Sequence, residues 1–322
     1  MRAEDRRVGR LERLLHLRRL PLLGTLPPDD LGLIAEQTRP RLFRQGEVLL
    51  RRGEPIGAVH VVVEGRVGLR RGEHELGHAT TGAAVGGLGF LARDDEGIDA
   101  TAEEDTLTLE LDTDTLGEIL EDRFQILQHL LRETSRLLLD LWHRAPRECA
   151  AAAERMEAPG FSGSLDLVER MLFLRQGLPF LRSSASALAD LARNLVELRF
   201  EPGVVLWRRG EPARQVLMLV SGRVACTAPI EGFGLAPGPG YPLGGLDAVA
   251  GMSRWYDAVC DGPVVALSGD VEILFDVFED SAEVALDYLS QIARSHLRAL
   301  ELVAQSDRKA RLLPFFGSDI EG

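Results

Sequence analysis

The chain of 322 residues is long enough for two domains, and its 45% hydrophobic and 27% charged residues are those of an ordinary globular protein. A formal net charge of -13 argues against a nucleic-acid partner, which needs a basic face to displace counterions. No run of about 18 apolar residues exists to span a membrane, and the scattered Cys149, Cys226 and Cys260 form neither a CxxC pair nor a Cys/His cluster. With so few cysteines, and an N-terminus (MRAEDRRVGRLERLL) too charged for a secretory signal, a cytoplasmic protein is expected.

Residues from about Glu4 to Leu20 read as a helix, with Val8, Leu11, Leu14, Leu15 and Leu17 as its apolar stripe and Pro21 ending it. Pro27-Pro28-Asp29-Asp30 then opens a second short helix. From Leu42 the period changes. EVLLRR, AVHVVVEG, RVGLRRG and TLTLEL are short strands bounded by glycine, the pattern of an antiparallel sandwich or barrel. Asp114 to His143 reads as one long helix whose broad apolar stripe must bury more than one side. Its second contact would be the following repeat or another copy of the chain. Pro146 to Ser164, rich in Ala, Gly, Pro and Ser, reads as a linker with a turn or two of helix.

The chain then repeats. RQGEVLLRRGEPIGAVHVVVEGRV at 44–67 returns as EPGVVLWRRGEPARQVLMLVSGRV at 201–224, and Gly46, Gly53 and Gly65 reappear 157 positions later as Gly203, Gly210 and Gly222. Such density at one offset marks a duplicated domain. LDLVERMLFLRQGLPFL matches RLERLLHLRRLPLL, SASALADLARNLVEL mirrors the second short helix, and a last helix at Val271–Gln305 mirrors 114–143. The division is therefore a first domain at 1–144, a linker at 145–163, a second domain at 164–305 and a tail at 306–322.

Helix, short helix, glycine-punctuated strands and long trailing helix, with hydrophobic-x-x-G-x-x-hydrophobic-x-x-x-G-x-x and a following V/I-x-x-G-x-V strand, resemble the cyclic-nucleotide-binding domain family of the catabolite activator and the protein kinase A regulatory subunit. The resemblance covers nearly the whole chain, twice. It implies an α+β fold of two tandem jelly-roll-like β-barrels, each with short N-terminal helices and a long C-terminal helix, acting as a regulatory module in signal transduction. It also implies a phosphate-binding cassette, roughly F-G-E-[LI]-A-L followed by P-R-x-A-T-V-x-A. There a glutamate reads the ribose hydroxyl and an arginine nine residues on forks the cyclic phosphate.

Both cassettes depart from that pattern. In the first, Val85 to Ala102, Gly86 keeps the family glycine, Gly87 replaces the acid and Glu96 replaces the arginine. Asp94, Asp95, Glu96 and Asp99 would surround a phosphate with negative charge. In the second, Leu243 to Cys260, Gly244 is kept and Gly245 replaces the acid, but Arg254 stands at the arginine position. The expected ligand residues there are Arg254, Gly244, Gly245, Leu246, Trp255 and Tyr256. Asp247 reads as a helix-start acid or as a salt-bridge acid with Arg254 as a candidate partner, and the rings of Trp255 and Tyr256 either stack on a base or fill an emptied pocket.

His74 and His78, four apart on a strand, share a face, but no third metal ligand is visible. No G-x-S-x-G elbow and no P-loop occur, so no enzyme is expected. The glycine- and proline-rich EGFGLAPGPGYP reads as a lengthened strand connection. The resulting expectation is a non-enzymatic regulatory or interaction protein that has lost cyclic-nucleotide binding and serves as a scaffold. The alternative is a sensor of cyclic nucleotide or another anion through Arg254 of the second domain, and a cyclic nucleotide there is the one cofactor implied. The partner is a protein that the sequence does not name. Self-association would run through the Asp114–His143 or Val271–Gln305 helix.

Overall fold

A computed structural model describes residues 8–154, 161, 163–176, 180 and 183–305. They form two compact units, Met1–Leu130 with Leu300–Gly322, and Leu131–Ala299. The sequence-based tail, 306–322, lies outside the described residues, as does the start of the first predicted helix.

The first unit begins with α1 (Arg10–Leu17) and α2 (Pro28–Gln37), the latter with proline at its first position and Asp29 and Asp30 in its first turn. Eight strands follow: β1 (Arg39–Phe43), β2 (Val48–Leu50), β3 (Ala58–Glu64), β4 (Val67–Arg71), β5 (His74–Ala79), β6 (Ala84–Val85), β7 (Asp99–Ala102) and β8 (Thr106–Asp112), with the short helix α3 (Gly87–Ala92) between β6 and β7. They make two antiparallel sheets, ordered β1-β8-β3-β6 and β2-β7-β4-β5. Alternation sorts the side chains. Leu50, Val62, Val67, Leu69, Ala79, Val85 and Ala100 form one buried cluster drawn from both sheets. Val59, Val61, Leu109 and Leu111, on the opposite face, are also buried, and α1 packs against β3 and α4 (Thr113–Asp122) against β8. Gly65 turns β3 into β4 at φ 102°, where a Cβ would meet the Thr106 backbone at 2.7 Å. That glycine is required both by conformation and by space.

α5 (Phe124–Arg144) and α6 (Pro146–Glu154) lead to the second unit's α7 (Leu167–Gln176) and α8 (Ala185–Asn194). Its strands are β9 (Val196–Phe200), β10 (Val205–Trp207), β11 (Gln215–Ser221), β12 (Val224–Thr227), β13 (Pro242–Leu243), β14 (Asp257–Cys260) and β15 (Val264–Asp270), with α9 (Gly245–Ala250) before β14. The sheets are β13-β11-β15-β9 and β10-β14-β12. The topology repeats that of the first unit minus the partner of β4. Where β5 would stand, EGFGLAPGPGYP keeps a lone bridge, Cys226 to Leu235, because Pro237 and Pro239 bring no N–H to a ladder. The unit ends with α10 (Val271–Asp280) and α11 (Ala282–Gln305).

Each expected long helix is two. The 114–143 pattern breaks at Arg123 (φ -126°, ψ 80°) and the 271–305 pattern at Ser281 (φ -141°, ψ 90°). One extended residue interrupts the hydrogen-bond ladder at the same place in both copies. Asp112 caps α4 through the Thr115 N–H at 3.0 Å, and Asp270 caps α10 through the Glu272 N–H at 2.9 Å. The apolar spacing runs straight through both breaks, which is why periodicity alone joined them. In the expected linker, α6 supplies more than two turns, begun by Pro146 and carried by alanines.

Candidate functional site

The two cassettes occupy the same place in their units, and backbone hydrogen bonds fix the correspondence. Gly53 N–H donates to Glu96 C=O at 2.9 Å, and Gly210 N–H donates to Arg254 C=O at 2.8 Å. Arg52 N–H donates to Asp99 Oδ1 at 3.0 Å, and Arg209 N–H donates to Asp257 Oδ1 at 2.8 Å. Glu96 and Arg254 are therefore equivalent positions, and the residue that follows the left-handed cap glycine (Gly86, Gly244) is glycine in both: Gly87 and Gly245.

In the second cassette Arg254 turns inward and is 3% exposed. Its Nη1 donates to Gly244 C=O at 2.8 Å and to Asp247 Oδ2 at 3.1 Å, and Nη2 donates to Gln215 C=O. The guanidinium lies 4.0 Å over the ring of Trp207. Those three acceptors belong to β11, the cassette turn and α9, so one side chain ties all three together. Asp247 is 1% exposed. Burial pushes its carboxyl up and the Arg254 charge offsets part of that shift. Its Oδ1 and the Trp207 Nε1 have no hydrogen-bond partner among the described residues.

The place of the absent acid is taken. A Cβ on Gly245 would collide with the hydroxyl oxygen of Tyr288, on α11, and one on Gly244 would collide with Arg254 Nη1. Tyr256 is buried with its ring 5.8 Å from Trp207 and 4.9 Å from Trp255. Burial raises the phenols of Tyr241, Tyr256 and Tyr288, which stay neutral. Trp255 packs outward on Phe233 at 4.6 Å and on Trp142 of α5 at 5.6 Å. Leu246 lines a small cleft of about 60 Å³ with Leu138, Cys149, Tyr241 and Tyr288. The rings of this cassette thus fill space or anchor α5.

In the first cassette the acids are engaged with the protein's own groups. Arg71 at the end of β4 donates to Asp94 at 2.9 and 3.3 Å, lies 3.4 Å from Glu96, and pairs with Glu301 at 2.8 Å. Burial lowers the Arg71 pKa, but the Asp94 hydrogen bond and the Glu301, Asp94 and Glu96 charges outweigh it and raise it overall. Asp94 also accepts the Glu96 and Gly97 N–H groups at 3.3 and 3.2 Å, which shapes the loop. Arg93 caps α3 in the left-handed region (φ 49°), where the second cassette has Gly251.

The histidine pair does not share a face. The β4–β5 register shifts by one residue between Leu69 and Arg70, so His78 pairs with Gly68 and His74 with Arg71. His78 instead meets Glu103 at 2.9 Å and Glu75 at 3.6 Å. No group of three metal-ligating residues exists among the described residues.

Sequence reasoning missed Trp207, Gln215 and Tyr288 around Arg254, and Arg71 in the first unit. Trp207 carried a signal, since it stands at the repeat offset where the first copy has Leu50. The Gln215 contact is through its backbone carbonyl, which no side-chain pattern records.

Residues 40–123 match the family model described as the cyclic nucleotide-binding domain. A protein of Rhodopseudomonas palustris named as a potassium channel is 32% identical over 97 residues, 29% of this chain, and the match spans only 24% of that protein. Among solved structures, the regulatory subunit of a cAMP-independent protein kinase A from Trypanosoma brucei aligns over 90% of both chains at 19% identity and TM-score 0.33. The protein kinase A regulatory domain of Toxoplasma gondii with cAMP aligns over 88% of this chain and 95% of its own, at 16% identity and TM-score 0.34. A cAMP-binding acyltransferase from Mycobacterium smegmatis aligns over 35% of this chain and 36% of its own, at 30% identity and TM-score 0.30.

Proposed function

Starting from a first unit whose residues 40–123 match the cyclic nucleotide-binding domain, we propose that this chain is a cytoplasmic, non-enzymatic regulatory or interaction module. Its two domain copies, 1–144 and 164–305, are joined by the linker at 145–163. Neither retains a cyclic-nucleotide site. The observation that carries this reading is the arrangement of Arg254. A phosphate-binding arginine must present its fork to the ligand, whereas Arg254 is spent on Gly244, Gln215 and Asp247.

The physical cost of restoring the site supports the same reading. Turning Arg254 outward would leave the Asp247 carboxylate buried and unpaired, a penalty of about 3–5 kcal/mol. That is comparable to the whole free energy of millimolar ligand binding, about 4 kcal/mol. In the first cassette Glu96 offers a carboxylate where a phosphate would need a cation, and Arg71 is already shared among three carboxylates. With no ligand to move it, α11 stays docked through Tyr288 over Gly245. A module of this kind acts by presenting a fixed surface to a protein partner, or to a second copy through α5 or α11.

Calorimetric titration of the intact protein with cyclic AMP and cyclic GMP tests this. No saturable heat is expected up to millimolar nucleotide. Micromolar binding that is lost in Arg254→Lys, a variant that keeps the charge but not the fork, would instead establish a sensor acting through the second domain.

A further inference from the structure

The helices that trail the two sets of strands do not stay with their own copy along their whole length. One boundary between the compact units falls between Leu130 and Leu131, inside α5, and the other between Ala299 and Leu300, inside α11. From Leu131 onward α5 therefore belongs to the second unit, and the end of α11, residues 300–305, belongs to the first.

Within the second unit, that part of α5 is fastened to the cassette. Arg136 Nε donates to Ala250 C=O at 3.0 Å, at the last residue of α9, where carbonyls lack intrahelical donors. Further along, the rings of Trp142 and His143 lie 5.6 and 5.3 Å from Trp255, the residue that follows Arg254. Within the first unit, the end of α11 is fastened to the other cassette. Glu301 pairs with Arg71 Nε at 2.8 Å, while Nη1 and Nη2 of the same guanidinium hold Asp94 and reach Glu96 at 3.4 Å.

His143 and Glu301 are equivalent positions. α5 and α11 each begin directly after the extended residue that breaks the trailing helix, and each of these residues is the twentieth of its helix. One touches the residue after Arg254, and the other reaches, through Arg71, the residue equivalent to Arg254. The crossing is thus reciprocal, and it lands on the same part of each copy with different chemistry: rings in the second unit, an ion pair in the first.

We propose that the trailing helices are reciprocal latches. The helix of each copy is held by the cassette loop of the other, so a change in one copy's cassette is read at the other copy's helix. Within one chain this is the exchange of an identical element that, between chains, makes swapped dimers. The device does not depend on whether either cassette takes a ligand.

Hydrogen exchange of the intact protein, followed by mass spectrometry, tests the crossing. Arg71→Ala, in the first copy, is expected to speed exchange at 300–305 about twofold to fivefold and to leave 141–144 unchanged. Trp255→Leu, in the second copy, is expected to speed exchange at 141–144 about twofold to tenfold and to leave 300–305 unchanged. Should Trp255→Leu unfold the protein, Arg136→Ala, which removes the donor to Ala250, is read at the same amides. Glu301→Gln separates the latch from ordinary helix chemistry. An acid near a helix C-terminus opposes the dipole, so its removal from an untethered helix would slow exchange at 300–305, whereas loss of the latch speeds it. In an Arg71→Ala background, Glu301→Gln is expected to give no further acceleration. Slower or unchanged exchange at 300–305 in Glu301→Gln, or a crossed response in fewer than both directions, overturns the proposal.

Discussion

Arg254 shows how much one side chain can settle when all its partners are buried. Replacing it with alanine removes the guanidinium that donates to Asp247 Oδ2 and frees two backbone carbonyls. The expected loss is about 3–5 kcal/mol of unfolding free energy, read from the urea midpoint. Gly245→Glu places the acid of the cassette pattern at its expected position but pushes against the Tyr288 hydroxyl. It is expected to destabilise by about 1–3 kcal/mol and to regain part of that loss in a Tyr288→Ala background. His60 carries a pH signature. Burial lowers its pKa to about 4 from 6.5, against the raising effect of Glu110. It stays neutral in the fold while the unfolded chain takes up a proton, so its contribution is whole above pH 6.5 and drains away as pH falls toward 4. The full swing is about 3 kcal/mol. Burial places His296 lower still, at about 3, with the same sign. His60→Leu, the residue type of the second copy, is expected to flatten the decline of stability between pH 6.5 and 4, followed by far-UV circular dichroism. The loss of both acids was legible in Gly87 and Gly245. The direction of Arg254 was not, because two of its three acceptors are main-chain atoms, 10 and 39 residues away.

Elements set where those residues can reach. The glycine-ruled strands were readable because each turn needs a residue free of Cβ constraints, and the repeat printed the pattern twice. Three features escaped for reasons of geometry. The helix breaks at Arg123 and Ser281 lie inside unbroken apolar spacing. The shift in β5 changes which face His78 occupies without changing composition. The missing ladder partner of β12 depends on where prolines fall within a loop. In the first cassette, Arg71 braces the loop that follows α3 through Asp94, which in turn holds the Glu96 and Gly97 N–H groups. Arg71→Ala is therefore expected to speed hydrogen exchange at these two amides while leaving the β3–β8 ladder protected. Unchanged exchange at Glu96 and Gly97 would show the loop to be held by its backbone alone.

For the whole molecule, duplication supplied one fold to two sets of side chains, and the copies diverged at the same few positions. The second filled its interior with an ion pair and rings. The first kept a buried histidine and a glutamate. With a net charge of -13, the intact chain is expected not to retard duplex DNA in a gel at about 50 mM salt, conditions under which phosphate contacts are at their strongest. Retardation would reveal a basic surface that the total charge conceals.

The aromatic wall around Arg254 also divides the molecule optically. Trp142, Trp207 and Trp255, and Tyr241, Tyr256 and Tyr288, are all the tryptophans and tyrosines of the chain, and every one lies within Leu131–Ala299. Intrinsic emission and near-ultraviolet absorbance therefore report the second unit alone. An unfolding curve followed by tryptophan fluorescence would pass over the first unit in silence, and Leu50→Trp would place the first indole chromophore there.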